Sequence, residues 1–462
     1  MTVRRSSRTA ALALAVSGVV GVSGALAATN PGERPETPPG LDQQLQLGVE
    51  VLVEDQIDML EGKRVGLITN PTGVTSDLTH TIDALIAGEE AGDYELTALY
   101  GPEHGVRGGV PAGAYVESYT DERTGLPVYS LYGPTRKPNA EMLENVDVLL
   151  FDIQDIGARF YTYIWTMYYA MEAAAENGKT FVVLDRPNPL GDRMDGPVLD
   201  YPQISSFVGL REIPLQHGLT VGELATLFNN EFLETPADLT VIEMEGYDPS
   251  SIIEDWDLPW VLPSPNIPTR ETAIVYPGTG LIESINVSEG RGTTTPFLWF
   301  GAPYIDETES YALAQDLNSR GLEGVTFRPM SATPSASKHS GRFSGGVQIH
   351  ILDEAAYEPV RTGLHVLDAL FDHIDEVDWR EGAKCRTEAD LCWIDQLSGT
   401  KDVRAQLDAG VDPDEIVAGW AEELAAFDEL ADEYRLYDDG PGRPDHAGKP
   451  DHAGKPGQGR NG

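Results

Sequence analysis

Four short apolar runs, each stopped abruptly by a polar side chain, constrain this chain more than any other feature. Residues 64–69 run into Asn70, 96–100 into Gly101-Pro102-Glu103-His104, 146–151 into Asp152, and 180–184 into Asp185. Apart from Arg64, Thr69, Thr97, Asp147 and Thr180 these runs are apolar, without strict alternation, which suits strands buried on both faces. Between them, residues 79–87 and 160–177 carry helical spacing, and Gly178 stops the second. Strands alternating with helices predict a parallel sheet with right-handed crossovers. The C-terminal ends of such strands share one rim, and ligands bind there. Asn70, Glu103, Asp152 and Asp185 are therefore expected to converge.

The same rhythm predicts a helix at 49–60, a short strand at 127–131, a helix at 139–143 and a strand at 239–244. Thr220 and Glu223 form a capping box that opens a helix, with His217 just outside it and free to face a cleft. These elements make a parallel-sheet α/β domain over residues 47–246. A segment rich in Pro and Trp, including Trp256 and Trp260, leads into a smaller α+β unit over 247–438. There the spacing predicts strands at 273–276, 281–285, 324–328 and 346–352, and helices at 311–320, 358–371 and 412–434.

The chain is long enough for two domains at 462 residues, and 41% hydrophobic content supports real cores. A net charge of −43 implies a solvated acidic surface that repels nucleic acid and anionic membranes. Such a surface suits salty surroundings, where screening shortens the reach of charge. Arg4, Arg5 and Arg8 precede an apolar stretch and Ala25-Leu26-Ala27, the pattern of a signal peptide over 1–28, with an uncleaved anchor as the alternative. Residues 29–46 read as a Pro/Gly-rich linker. No later stretch is long and apolar enough to span a bilayer, so a secreted, extracytoplasmic protein is expected. Cys385 and Cys392, the only cysteines, are spaced to close a small loop as a disulfide in an oxidising compartment. The tail, 439–462, repeats PDHAGK from Pro444 and Pro450 and reads as disordered. The sequence sets no oligomeric state.

Several chemistries are disfavoured. No G-x-G-x-x-G follows a strand, and Gly178-Lys179-Thr180 precedes one, with Ala173 where a phosphate loop needs glycine. His104, His217, His339 and His350 lack metal-ligand spacing, and His446 and His452 sit on the tail, so neither a metal nor another cofactor is expected. Ser335 and Lys338 match S-x-x-K, but the companion motifs of penicillin-binding proteins are absent. Ser337-Lys338-His339 reads instead as a polar wall of a cleft. Carboxylates, arginines and aromatics remain. Glu103, Asp152, Asp155 and Glu289 are candidate acid, base or nucleophile groups, as glycosidases need two carboxyls in different environments. Arg159, Arg186, Arg270 and Arg291 can each grip a substrate carboxylate through paired hydrogen bonds. Tyr161, Tyr163 and Trp165 either stack on a sugar or, given their helical spacing, fill the core. Ser288-Glu289-Gly290-Arg291-Gly292 reads as a ligand loop or a turn.

Taken together, the motifs resemble the secreted exo-β-N-acetylmuramidases of the NamZ type, once catalogued only as a domain of unknown function. The matching segments are GLITNPTG from Gly66, LYGPEHGVRG from Leu99, VDVLLFDIQDIGARFYTY from Val146 and VVLDRPNPLG from Val182. QHGLTVGELA from Gln216, PSPNIPT from Pro263, AIVYPGTGLIES from Ala273, SEGRGTTTPF from Ser288 and GGVQIHILD from Gly345 complete the set, which spans residues 47–437. The resemblance implies an exo-acting glycoside hydrolase that releases N-acetylmuramic acid from non-reducing ends of peptidoglycan fragments. It also implies a Rossmann-like N-terminal domain with a smaller α/β (α+β) C-terminal domain and a cleft between them. Glu103, in the GPEHG segment, is the catalytic residue the resemblance implies. Asp152 or Glu289 is its expected partner, unless the substrate's acetamido group serves instead. Asn70, His104, Arg159, Tyr161, Arg186, Asn188, His217, Asn266 and Arg291 are the expected substrate contacts, and the lactyl carboxylate of muramic acid gives Arg291 a reason to be there. The alternative is a cell-wall sugar-binding protein without catalysis.

Overall fold

The computed structural model describes residues 45–437 apart from 112, 116, 253–255 and 388. The expected signal segment, the tail with its two histidines, and all but the last two linker residues lie outside the described residues.

Helix α1 (Gly48–Asp55) leads into β1 (Arg64–Thr69), α2 (Thr81–Gly92), β2 (Glu95–Gly101), β3 (Tyr119–Thr120), β4 (Pro127–Ser130), β5 (Val148–Asp152), α3 (Tyr163–Asn177) and β6 (Thr180–Leu184). A two-stranded excursion, β7 (Met194–Val198) and β8 (Pro214–His217), precedes α4 (Val221–Leu227) and β9 (Asp238–Ile242). The main sheet runs β3-β4-β2-β1-β5-β6-β9, and only the β3–β4 pair is antiparallel. Without β3, the parallel strands stand in the order third, second, first, fourth, fifth, sixth. This is the doubly wound Rossmann order, and it reverses between β1 and β5, where such sheets open a ligand crevice.

Successive side chains of each strand enter different cores, which is why the sequence shows no alternation. Val65, Leu67, Leu99, Leu150 and Leu184 join the cluster holding Val49 and Ile82. Ile68, Tyr100, Leu149, Phe151 and Val183 join the cluster holding Trp165 and Leu224. Both faces are covered, as a parallel sheet requires.

The second, smaller unit has α5 (Arg270–Thr279), β10 (Trp299–Ala302), α6 (Glu307–Ser319), β11 (Val325–Pro329), β12 (Gly345–Ile351) and α7 (Pro359–His373). Its antiparallel sheet is ordered β10-β12-β11. Short helices α8 (Trp393–Ser398), α9 (Asp402–Asp408), α10 (Pro413–Ala418) and α11 (Ala421–Ala431) follow. The larger apolar cluster runs from Ile68 to Ala431 and links both sheets. The Cys385–Cys392 disulfide is formed, with Cα atoms 5.8 Å apart. Among the described residues no helix is long and apolar enough to cross a membrane.

Several expected elements are corrected. Residues 273–276 and 281–285 are not strands but parts of α5 and of a 3₁₀ turn, Gly280–Ser284. The segment is buried on every side, so periodicity cannot separate helix from strand. The deciding features are Thr269, whose side chain caps the Thr272 amide, and a close α5–α7 crossing. There a Cβ on Gly278 would lie 1.8 Å from the Pro359 carbonyl oxygen. Helix α3 starts at Tyr163 rather than at 160, because the Arg159 amide bonds the Leu215 carbonyl and draws the chain toward β8. Residues 139–143 form a turn, and the expected helix over 412–434 breaks at Gly419 and Trp420.

Candidate active site

Glu103 stands where the sheet argument puts it, just past the C-terminal end of β2. His104 and Gly105 both take left-handed backbone angles (φ 70° and 72°), which turns the loop sharply back. The buried His104 ring bonds the Val110 carbonyl through Nδ1 at 2.7 Å, so it braces the loop. Glu103 itself is half-buried. Its Oε1 accepts the Gly113 amide at 2.8 Å, and the Thr162 hydroxyl lies 3.5 Å from Oε2.

Four tyrosines feel this carboxylate. Burial first, then the Glu103 charge, pushes the Tyr132 hydroxyl up to about 12. Tyr161, Tyr163 and Tyr276 are raised further, chiefly by burial, with Glu103 contributing to each. All four hydroxyls therefore stay protonated as donors. The Tyr161 ring packs edge-on against Tyr163 and Tyr276, with centroids 5.0 and 5.7 Å away, as a core residue does. Tyr163 donates to the Pro263 carbonyl at 2.6 Å and so ties in the loop that carries the partly buried Asn266.

Asp155, three residues past the end of β5, is the second carboxylate acting on Tyr161 and Tyr163. Its Oδ2 accepts from the Gly157 amide at 2.7 Å and from His217 Nε2 at 3.0 Å. The Leu219 amide donates to His217 Nδ1, which turns Nε2 and its proton toward Asp155. Asp155 Oδ1 is buried with no hydrogen-bond partner. Asn70 lies beside Tyr163, its Oδ1 accepting from Thr72.

Other expected site residues turn out to be struts. Asp152 is fully buried, and Arg186 Nε and Nη2 donate to its two oxygens at 2.5 and 3.0 Å. The Thr81 hydroxyl also bonds Asp152, leaving that carboxylate no oxygen for a ligand. Arg159 is sealed in the interior, where it donates to the carbonyls of Pro197, Ile213, Leu397 and Ser398, and burial pushes it down to about 9. Asn188 bonds the Leu190 amide within its own loop and the Leu219 carbonyl beyond β8.

Glu289 and Arg291 belong to a cavity of about 350 Å³ that also has Glu283, Lys338, His339 and Arg380 in its wall. Arg291 pairs with Glu283 at 2.7 Å and Glu289 at 3.3 Å, and its Cζ lies 4.9 Å from the Phe297 ring centre. Burial opposes its charge, but the two carboxylates and Tyr276 outweigh that and hold it protonated. Phe297 meets Tyr276 at 4.7 Å, which joins this cavity to the tyrosine cluster. Lys338 Nζ lies 3.2 Å from Glu289 and donates to main-chain carbonyls including Ile285 and Val287, while Ser335 bonds the Gly292 carbonyl. The two therefore form no serine–lysine pair. His339 bonds the Asn286 carbonyl and His350 meets Arg328.

Sequence reasoning missed Tyr132, although a signal was present. Leu-Tyr-Gly-Pro occurs twice, at Leu99 and at Leu131, each time at the end of a strand.

Comparison with known proteins agrees with this layout. Residues 65–271 match the family model described as exo-β-N-acetylmuramidase NamZ, N-terminal, and residues 274–437 match its C-terminal counterpart. The chain is 49% identical over 396 residues to the peptidoglycan β-N-acetylmuramidase NamZ of Bacillus subtilis (strain 168), covering 85% of this chain and 92% of that one. A crystal structure of a DUF1343 family protein from Bacteroides fragilis NCTC 9343 superposes with a TM-score of 0.75 at 42% identity, over 86% of this chain and 99% of that one. A second DUF1343 structure from the same strain gives 0.69 at 30% identity, over 86% and 100%.

Proposed function

The chain belongs to the family of exo-β-N-acetylmuramidase NamZ, and on that premise we propose that it removes N-acetylmuramic acid from non-reducing ends of peptidoglycan fragments by hydrolysis. The observation that carries the assignment of roles is exposure. Of the four candidate carboxylates, Asp152, Asp155 and Glu289 are buried, at 0%, 4% and 2% relative exposure, whereas Glu103 is half-buried at the rim. Glu103 is then the general acid that protonates the leaving oxygen, within reach of a saccharide entering from solvent. Asp155, with Oδ1 unpartnered and Oδ2 fixed by His217 and Gly157, offers negative charge to the oxocarbenium-like transition state. The half-buried Tyr132 hydroxyl beside Glu103 is a donor for the sugar's oxygens. The chemistry needs no cofactor.

We also place the enzyme outside the cytoplasm. The basic-then-apolar N-terminal stretch and the Cys385–Cys392 disulfide support that reading.

Incubation with a muramic acid-terminated disaccharide tests the assignment. Free N-acetylmuramic acid is expected from the wild type, and Glu103→Gln should fold normally yet turn over about 10²–10⁴-fold more slowly. Binding without release by the wild type would favour the sugar-receptor alternative. Near-normal turnover by the variant would remove Glu103 from the chemistry.

A further inference from the structure

Strand β4 pairs in parallel with β2, so the loops after them emerge at the same rim. Leu-Tyr-Gly-Pro closes β2 at Leu99 and opens the loop after β4 at Leu131, and the Leu131 amide donates to the Gly101 carbonyl at 2.8 Å, which sets the two loops side by side. The first loop carries Glu103, and the second carries Tyr132 and Arg136. The Tyr132 hydroxyl borders the Glu103 carboxylate. Its ring lies 6.3 Å from that of Phe207, which in turn stacks on Tyr169 at 6.2 Å with planes 8° apart. Arg136 Cζ sits 4.1 Å from the Phe207 ring centre. The three rings are half-buried and Arg136 is exposed.

The other arginines considered for a substrate carboxylate are already engaged. Arg159 serves main-chain carbonyls, Arg186 serves Asp152, Arg270 bonds the Leu258 carbonyl, and Arg291 serves Glu283 and Glu289. Arg136 has no carboxylate within ion-pair distance among the described residues; it has an aromatic face beneath it. Stacking fixes the plane of a guanidinium while leaving its N–H edges open to an anion. In a chain of net charge −43, leaving one such group unpaired beside the acid is notable in physical terms, because acidic partners are plentiful.

We infer that Arg136, laid on Phe207 next to Tyr132, reads the carboxylate of the substrate's lactyl group. The inference rests on the muramidase reading. That carboxylate is the one charge on N-acetylmuramic acid, and it is what separates this sugar from uncharged amino sugars. A forked guanidinium matches it with two parallel hydrogen bonds. Tyr132, half-buried beside Glu103, supplies an apolar face of the kind that receives a pyranose ring.

Two chromogenic substrates test this: a muramoside with the free lactyl acid, and the same compound with that acid converted to its amide. The wild type should prefer the acid in kcat/KM by about 10- to 100-fold, the value of a charge-assisted pair. Arg136→Gln should lose that preference by slowing turnover of the acid while leaving the amide unchanged. Arg136→Lys should keep part of it, since the charge remains but the fork is gone. Unchanged thermal unfolding is expected for both variants, as the side chain is exposed. If Arg136→Gln lowers both substrates equally, or neither, the assignment of Arg136 is overturned and the muramidase reading survives. If the wild type hydrolyses neither substrate, the muramidase reading fails, and this inference fails with it.

Discussion

Replacing Asp152 by asparagine should cost stability far more than chemistry. Asp152 has no exposed surface, and its two oxygens take two donors of Arg186 plus the Thr81 hydroxyl. Arg186 is itself 4% exposed, and its remaining partner is the neutral Val74 carbonyl at 2.8 Å. Asp152→Asn thus strands a buried cation with no counter-charge, a change that costs about 3–5 kcal/mol. For a folded unit of this size each kcal/mol is worth about 2 °C, so Tm should fall by about 6–10 °C. Glu103→Gln, at a half-exposed position, should leave Tm within about 2 °C. Calorimetry on both variants, with turnover measured at 25 °C where each is still folded, separates the roles. Asp152→Asn should keep turnover within about tenfold of wild type, against the hundredfold or greater loss expected of Glu103→Gln. An Asp152→Asn protein that melts normally yet is as inactive as Glu103→Gln would refute the reasoning and return Asp152 to the chemistry.

Two further outcomes follow from buried groups away from the tyrosine cluster. Burial lifts Asp185 to about 6 and Glu223 to about 7, with hydrogen bonds from Tyr437, Thr220 and Gly222 to Asp185 pulling the other way. An unfolded aspartate ionises near pH 4, so between about pH 4 and 6 the unfolded state holds fewer protons than the folded one, and stability falls as pH rises. The Asp185 share is about 3 kcal/mol at ~1.4 kcal/mol per unit, and it should vanish from the pH profile of thermal unfolding in Asp185→Asn; a difference curve flat over that window would refute it. Breaking the Cys385–Cys392 bridge, which spans a sequence separation of 7, should lower stability by about 2.5 kcal/mol in the chain-entropy account. Unfolding of the Cys385→Ser, Cys392→Ser double variant, and of the wild type with and without reductant, measures this, and a variant Tm equal to that of the oxidised wild type would contradict it.

The parallel sheet and its rim were legible because strands buried on both faces leave a direct signature in the sequence. The positions of Glu103 and Asn70 at the rim were legible for the same reason, each standing just past a strand end. The partners of each rim residue were not legible. Asp152 and Arg186 look like ligand groups in sequence, but they lie 34 positions apart and find each other only once β5 and β6 pair. Arg159 reads as an exposed carboxylate clamp until the fold brings Leu397 and Ser398 against it from almost the other end of the chain. Phe207, from the excursion between β7 and β8, meets Tyr132 and Tyr169 through the same long-range closure. Local pattern also failed at α5, where apolar residues face protein in every direction and no period survives.

The connections between strands explain why some rim residues became struts while Glu103 stayed available. After β1 the chain enters α2, whose first residue, Thr81, bonds Asp152. Past β6 it reaches α4, and Asp185 accepts the Gly222 amide and the Thr220 hydroxyl at the start of that helix. A helix N-terminus presents free amides and partial positive charge, and so it consumes a nearby carboxylate. The connections from β2 to β4 and from β4 to β5 contain no helix among their described residues. No helix start competes for the polar side chains of those two loops. They are the loops next to the two Leu-Tyr-Gly-Pro segments, and they hold Glu103 and Arg136. Where the doubly wound pattern omits a helix, the rim keeps one acid and one guanidinium open to solvent. Placing a helix start in the loop after β2 should therefore draw Glu103 into a cap and close the site, without any change to the sheet beneath.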